Sequence, residues 1–250
     1  MRPSTCALVF AAAAACTHPS FALATPQKLA LKYFDLRGAA ETCRVLFALG
    51  GEDYSDCRYS FDSKTFKSEA FDAAKENGEH TTNLDRAPVL LMENGSAVGQ
   101  SKAIERYLAR RFGLMGDSPE EEVTIDCIAE HCRDVKDAAM RKSFSAFAKG
   151  KTDEEKAEAR KEWFETDLPA MLKKVDASVL GTGNGVFAVG KKMSYADVAI
   201  WSLLRECAPA DKDDTTKAAA ECSALNAIAD AIASNTKVSS WVAQRPVTIF

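Results

Sequence analysis

Near the start of the chain Leu29, Leu31 and Tyr33 alternate with Ala30, Lys32 and Phe34, the period of a β-strand. The period then lengthens. From Ala40 to Leu49 the apolar residues Cys43, Val45, Leu46, Phe47 and Leu49 recur at helical spacing, and Gly50-Gly51 supplies a stop. Tyr54 to Tyr59 predicts a second strand. Residues 60 to 86 are polar and irregular, with a short helix predicted near Phe66 to Lys75. Pro88 to Met92 and Ala97 to Gly99 are short apolar runs on either side of Glu93-Asn94-Gly95-Ser96, and Asn-Gly between such runs predicts a hairpin. Ser101 then opens a helix with Ile104, Tyr107 and Leu108 on one face. The order βαβ followed by ββα favours an α/β domain, a parallel pair extended by an antiparallel hairpin.

Phe112 to Pro119 holds two glycines, an Asp-Ser pair and a proline, the composition of a linker. Beyond it the pattern is helical: Glu120 to Ala148, Thr152 to Val175, Ser194 to Cys207, Ala218 to Ser234, and a last turn near Ser239 to Gln244. The expected organisation is an α/β domain over 28–111, a linker over 112–119 and an all-helical domain over 120–247. Ser194-Tyr195-Ala196-Asp197 has the form of a capping box that nucleates a helix of the second domain. Gly181-Thr182-Gly183-Asn184-Gly185 follows a helix and lacks the Lys-Ser/Thr of a phosphate loop, so it predicts a turn.

Charge changes the picture little. The 250 residues include 32 basic and 36 acidic side chains, and mixed blocks such as Asp153-Glu154-Glu155-Lys156 predict solvated helix faces. There is no basic stripe of the kind nucleic acid requires, so no nucleic-acid partner is expected. Residues 1–24 form a distinct leader: one basic residue (Arg2), an apolar run from Cys6 to Cys16, and the small-residue step Ala22-Leu23-Ala24. This is the grammar of a cleaved signal peptide, too short to span a bilayer. The Ser20-Phe21-Ala22 step resembles the junction in bipartite plastid-targeting leaders. The expected destination is the secretory pathway or a plastid; the alternative is a cytoplasmic protein with an Ala-rich tail. No later segment is apolar enough to cross a membrane, and none is expected to.

Six cysteines remain beyond the leader: Cys43, Cys57, Cys127, Cys132, Cys207 and Cys222, none in a C-x-x-C pair. Most lie in apolar helical runs, which favours buried thiols, although a secretory destination would also permit disulfides. Cys127, His131 and Cys132 have no ligand spacing that favours zinc over helix core, so no metal is expected. Cys43 reads as an inert thiol.

Three segments carry candidate chemistry. Tyr33 stands at the carboxyl end of a strand, just before a turn and a helix N-terminus, where ligands of such sheets gather. A phenol there can donate a hydrogen bond to a thiolate, and the helix dipole favours the same anion. Lowering a thiol pKa by about 2 takes about 2.7 kcal/mol, within reach of a charge-assisted hydrogen bond plus a helix terminus. Arg86-Ala87-Pro88 opens a strand with a proline; either this is only a permitted edge position, or a cis bond exposes the Ala87 backbone to an extended peptide ligand. Gln100-Ser101 begins a helix, where free N–H groups attract a carboxylate, unless Ser101 is an ordinary cap.

Taken together, Tyr33-Phe34-Asp35-Leu36-Arg37-Gly38, Ala87-Pro88-Val89-Leu90, Gln100-Ser101-Lys102-Ala103-Ile104-Glu105-Arg106-Tyr107-Leu108 and Ser194-Tyr195-Ala196-Asp197 resemble the glutathione S-transferases, most closely the sigma class that includes haematopoietic prostaglandin D synthase. The resemblance spans Lys28 to Val247. It implies a thioredoxin-like domain followed by a helical one, a homodimer, glutathione as co-substrate and a small apolar electrophile as its partner. It makes Tyr33 the residue that stabilises the glutathione thiolate, with Phe34 beside it in the glutathione site. Ala87 would pair through its backbone with the cysteinyl unit next to a cis Pro88, and Gln100 and Ser101 would hold the γ-glutamyl end. Phe71 and Lys75 fall where the family often has a Trp and a Lys near the glycine end, and Asp134 where an acidic residue reaches the partner subunit's γ-glutamyl amine. One departure stands out: the family commonly reads Arg-Gly-Arg-Ala-Glu-Pro, and this chain reads Arg37-Gly38-Ala39-Ala40-Glu41-Thr42. Ala39 removes an arginine that often supports the thiolate. The expected function is conjugation of glutathione to apolar electrophiles; the alternatives are a non-catalytic binding or structural member, as among lens S-crystallins, and a glutathione-dependent isomerase.

Overall fold

The computed structural model of the chain describes residues 28–248 apart from 63, 64, 66, 146 and 147. The leader expected over 1–24 lies outside the described residues. Strand β1 (Ala30–Phe34) starts in the core, with Leu29 and Leu31 fully buried, and ends half-exposed at Lys32, Tyr33 and Phe34. A single 3₁₀ turn (Gly38–Ala40) leads into α1 (Glu41–Gly50), whose Cys43, Val45, Leu46 and Phe47 pack inward. Strand β2 (Ser55–Tyr59) runs parallel to β1. It begins one residue later than the alternation predicts, because the Tyr54 ring stacks on Phe47 at 3.8 Å instead of joining the ladder.

Helix α2 (Glu69–Glu76) starts later than expected as well, since the Ser68 side chain accepts from the Phe71 N–H at 3.2 Å and fixes the N-terminus there. Strands β3 (Val89–Leu91) and β4 (Ala97–Gly99) form the expected hairpin, and α3 (Ser101–Arg111) follows. The sheet order is β2-β1-β3-β4. β3 pairs with β1 only from Ala30–Leu91 to Lys32–Val89, so Tyr33 and Phe34 project past their antiparallel neighbour. Continuing that register sets Pro88 and Ala87 beside them.

The helical part begins with α4 (Pro119–Lys142), capped by Ser118. It ends six residues short of the expected Ala148, because Ser143 turns left-handed at φ 54°. The single helix expected over Thr152 to Val175 is three pieces: α5 (Asp153–Glu162), a π-helical turn (Trp163–Asp167) and α6 (Leu168–Thr182). Buried Leu172, Val175 and Val179 carry the apolar stripe of α6 past the predicted end. Gly181 and Thr182 of the expected turn close this helix, and the chain bends only from Gly183 onward.

Helix α7 (Tyr195–Arg205) is buried along nearly its whole length. The helix expected over Ala218 to Ser234 is instead α8 (Lys212–Ala218) and α9 (Ser223–Ser234). From within α9 the Asn226 side chain reaches back to donate to the carbonyls of Ala219 (2.7 Å) and Cys222 (3.0 Å) in the break, taking acceptors that a continuous helix would have used internally. Helix α10 (Thr236–Gln244) starts early because the Asn235 carboxamide accepts from the N–H groups of Lys237 and Val238. The fold is thus a thioredoxin-like α/β domain followed by an all-helical one, and no described helix is long and apolar enough to cross a membrane.

Two contacts lock the halves together near the cleft. Tyr195 on α7 donates its hydroxyl to buried Glu105 on α3, which also accepts from Lys102 Nζ at 2.8 Å. Glu41 on α1 accepts from Trp241 Nε1 and Arg245 Nη1, both at 2.8 Å. All six described cysteines are free thiols: Cys43, Cys132 and Cys222 are buried, Cys57 and Cys207 half-buried and Cys127 exposed.

The capping box is built around Asp197. Its carboxylate accepts from the Ser194 N–H (2.7 Å), the Ser194 hydroxyl (2.8 Å) and the Ala188 N–H (2.7 Å). Asp197→Ala leaves three buried donors without that acceptor and is expected to cost about 2–4 kcal/mol, since each buried polar group left unsatisfied costs about 1–3 kcal/mol. Ser194→Ala removes one donor and is expected to cost about 1 kcal/mol. Urea unfolding of the two variants checks the order.

Candidate functional site

Tyr33 is held in place by glycine chemistry. Gly38 has φ +40°, and a Cβ placed on it would sit 2.6 Å from the Tyr33 hydroxyl, so no larger residue fits the turn while the phenol keeps its position. The hydroxyl accepts from the Ala39 N–H at 3.1 Å. That bond uses an oxygen lone pair and leaves the phenolic proton free to donate. Burial raises the Tyr33 pKa above its ordinary value, while the Ala39 N–H and the charge of Arg44 pull the other way. The group is therefore a protonated hydrogen-bond donor at neutral pH.

Arg44 is the residue that sequence reasoning missed. Its side chain is fully buried on α1, and its guanidinium carbon lies 6.0 Å from the centre of the Tyr33 ring. Nη1 donates to the Leu36 carbonyl at 2.6 Å, and Nε donates to Asp56 on β2 at 3.1 Å. A single charge among Cys43, Val45, Leu46 and Phe47 was the signal that could have found it. Arg37, in the turn after β1, is engaged elsewhere: its Nη1 donates to Glu206 at 3.1 Å.

The second and third segments are joined by Asn83. Its Nδ2 donates to the carbonyls of Arg86 (3.0 Å) and Pro88 (2.9 Å), and its Oδ1 accepts from the Gln100 N–H at 3.1 Å. One buried carboxamide thus sets both the Ala87-Pro88 segment, whose peptide bond is cis, and the start of α3. Gly99 permits this, since a Cβ there would meet the Asn83 side chain at 2.4 Å. Buried His80 adds a contact from Nδ1 to the Arg86 carbonyl at 3.1 Å, and its Nε2 lies 2.8 Å from the Tyr59 hydroxyl. Gln100 is the cap residue of α3 at φ 68°, and no side chain caps the helix, so Ser101 is its first residue rather than the cap. The first N–H groups of α3 are presented as an anion site requires.

Gly38, Ala39 and Ser101 open on one cavity of about 420 Å³ between the two domains. Its far wall is apolar and includes Trp163 and Phe164 of the π-helical turn and Leu168. Phe34 and Phe71 meet edge-on at 4.8 Å, and Lys75 Nζ lies 5.0 Å from the Phe71 ring centre while paired with Asp72 at 2.7 Å. These three form a group at the β2 side of Tyr33. Asp134 is not brought to this cavity; it is exposed on α4 and borders a separate depression with His131 and Met171. Among the described residues no cluster of three or more metal-ligating side chains occurs; Cys127 Sγ meets His131 Nε2 at 3.4 Å, and Cys132 is buried apart from them.

Comparison with known proteins identifies the family. Residues 29–110 match the glutathione S-transferase N-terminal domain and residues 138–245 the glutathione S-transferase C-terminal domain. Probable glutathione S-transferase 6 of Caenorhabditis elegans is 32% identical over 172 residues, 68% of this chain and 75% of the relative. Hematopoietic prostaglandin D synthase of Gallus gallus is 30% identical over 218 residues, 87% of this chain and 96% of the relative. The chain belongs to the glutathione S-transferase family. Among solved structures, the glutathione S-transferase from Ascaris lumbricoides superposes with a TM-score of 0.72 at 26% identity, over 89% of this chain and 100% of that one.

Replacing Asn83 by Ala leaves the Pro88 carbonyl and the Gln100 N–H without this partner and takes one of two contacts from the Arg86 carbonyl. Asn83→Ala is expected to cost about 2–3 kcal/mol of stability, the scale of buried polar groups that lose their partners. It is also expected to weaken glutathione binding while leaving Tyr33 untouched. Denaturant unfolding and titration calorimetry with glutathione measure the two effects.

Proposed function

We propose that this protein conjugates the thiol of glutathione to apolar electrophiles, with Tyr33 as the residue that stabilises the thiolate. The observation that carries this reading is the Tyr33 hydroxyl: it is fixed by the Ala39 N–H at 3.1 Å, its own proton is uncommitted among the described residues, and the turn that holds it opens on the apolar cavity. A thiolate placed there would receive the phenolic O–H and lie near the N-terminus of α1. Family membership supports glutathione as the co-substrate. On this reading the Ala87 backbone, Gln100 and Ser101 take the peptide and its γ-glutamyl end, Phe34 belongs to the glutathione site, and Phe71 and Lys75 lie toward the glycine end. The class closest in character is sigma. Asp134, exposed and away from the chain's own cavity, suits a homodimer in which it reaches the glutathione of the partner subunit.

Arg44 supports the reading in spite of Ala39. It supplies a positive charge from beneath the Tyr33 ring, where the family arginine would have supplied one from the turn.

The test is Tyr33→Phe, which removes the donor and keeps the ring. Conjugation of chlorodinitrobenzene is expected to fall about 10- to 100-fold in kcat/KM, the worth of one hydrogen bond to a charged group. Glutathione affinity by calorimetry is expected to stay within about 3-fold, because the peptide contacts lie elsewhere. Unchanged turnover in the variant would overturn the role of Tyr33. Binding of glutathione by the native protein with no turnover of any electrophile would favour a non-catalytic member, the reading that Ala39 motivates.

A further inference from the structure

Most of the charged groups around the cavity are paired, and one cation, Lys136, is not. Lys102 is bonded to Glu105 at 2.8 Å, Arg133 to Glu130 at 2.6 Å, and Asp211 to Arg160 at 2.7 Å. Glu206 accepts from Arg37 (3.1 Å) and Arg245 (2.8 Å). Lys136 on α4 has no carboxylate within ion-pair distance among the described residues. Its Nζ donates to Ser202 Oγ at 2.8 Å, and Ser202 in turn meets Thr42 Oγ1 at 3.1 Å. An enclosed cation without a counter-charge is costly to maintain and marks a place where an anion or a developing negative charge belongs.

The position of Lys136 narrows the chemistry. It borders the main cavity and two smaller clefts that reach Gly38, Glu41 and Thr42. Gly38 is the residue on which a Cβ would meet the Tyr33 hydroxyl, and its neighbour Ala39 donates its N–H to that oxygen. Lys136 thus shares the Gly38–Ala39 end of the cavity, where the Ala39 N–H binds the Tyr33 hydroxyl, and the cavity wall also includes apolar Trp163, Phe164 and Leu168. A ligand with a permanent carboxylate at that end would be repelled by the adjacent thiolate. A neutral electrophile that gains charge on oxygen only as the sulfur attacks would not be, and would meet the ammonium when it is needed.

We propose that Lys136 determines specificity for the second substrate by binding the carbonyl oxygen of an α,β-unsaturated ketone or aldehyde and stabilising the enolate formed on addition. This rests on the thiolate chemistry of Tyr33. The sulfur lone pair forms the S–C bond at the β-carbon, and the alkene π pair shifts to make the enolate oxygen. The α-carbon then takes a proton from solvent, replacing the one glutathione released on ionising. No group leaves, and nothing is oxidised or reduced.

The surroundings add a pH signature. Burial and the neighbouring charge of Lys102 lower the Lys136 pKa to about 8, with Glu105 and Glu206 and the Cys132 thiol acting in the opposite sense. Asp137, one residue on, also lines the cavity but is not within ion-pair distance. Lys136 is thus protonated below about pH 8 and loses its charge above it.

The test compares Lys136→Met with the native enzyme on two electrophiles, a conjugated enone and a benzyl halide, which has no oxygen to bear charge. The ratio of enone to benzyl halide kcat/KM is expected to fall about 100-fold, the scale for removing one oxyanion donor, with the loss in kcat. The native enone rate, relative to the halide rate, is expected to decline above about pH 8, and this decline should vanish in the variant. Thermal unfolding confirms that the variant is folded, since methionine conserves the length of the buried stem. An unchanged ratio, or equal losses on both electrophiles, would overturn the role of Lys136 while leaving that of Tyr33 intact. If the native enzyme turns over neither electrophile, both readings fall.

Discussion

The buried guanidinium of Arg44 joins three parts of the chain at one point. It binds the Leu36 carbonyl in the turn after β1, Asp56 on β2 and Glu41 at the start of its own helix. Its Nη2 is buried without a partner. A buried ion pair adds little net stability over a hydrophobic replacement, but removing one member strands the others. What the arrangement fixes is geometry. It ties the turn to the sheet and lays a positive charge against the face of Tyr33, so that the phenol cannot swing with the turn. Glu41 extends the same network to Trp241 and Arg245 at the chain's far end, so α10 also braces the reactive corner.

The remainder of the site is arranged by contacts of the same kind, each joining segments distant in sequence. Asn83 sets the Ala87-Pro88 edge and the α3 N-terminus with a single side chain. Glu105 and Tyr195 clamp α3 to α7 and so hold the two walls of the cavity at a fixed separation. The π-helical turn brings Trp163 and Phe164 onto the far wall, where such turns often mark functional surfaces. The cavity is apolar where an electrophile's body would lie and polar where sulfur chemistry would occur, a division built by the domain interface rather than by either domain alone.

The strands and the hairpin were legible because alternation and Asn94-Gly95 are local signals. Tyr33 and the start of α3 were legible because a strand end and a helix start are set by a few adjacent residues. Helix boundaries were less so. The breaks at Ser143 and between α8 and α9 come from backbone conformation and from Asn226, neither of which disturbs the apolar period. Arg44 showed only as a lone charge in an apolar run, and Asn83 not at all, because their roles depend on partners 12 and 17 residues away or on carbonyls that any residue could supply. Lys136 gave no sign at all in the sequence. A lysine on a helix is usually solvated, and only the packing of α4 against α7 encloses this one.

The account depends on a phenolic proton available to a sulfur. Ultraviolet difference absorbance of glutathione bound to the native protein, followed across pH, reads thiolate formation directly. The expected result is ionisation about 2 pH units below that of free glutathione, equivalent to about 2.7 kcal/mol of thiolate stabilisation, with most of that advantage lost in Tyr33→Phe. A bound thiol that ionises at its free-solution pH in the native protein would contradict it.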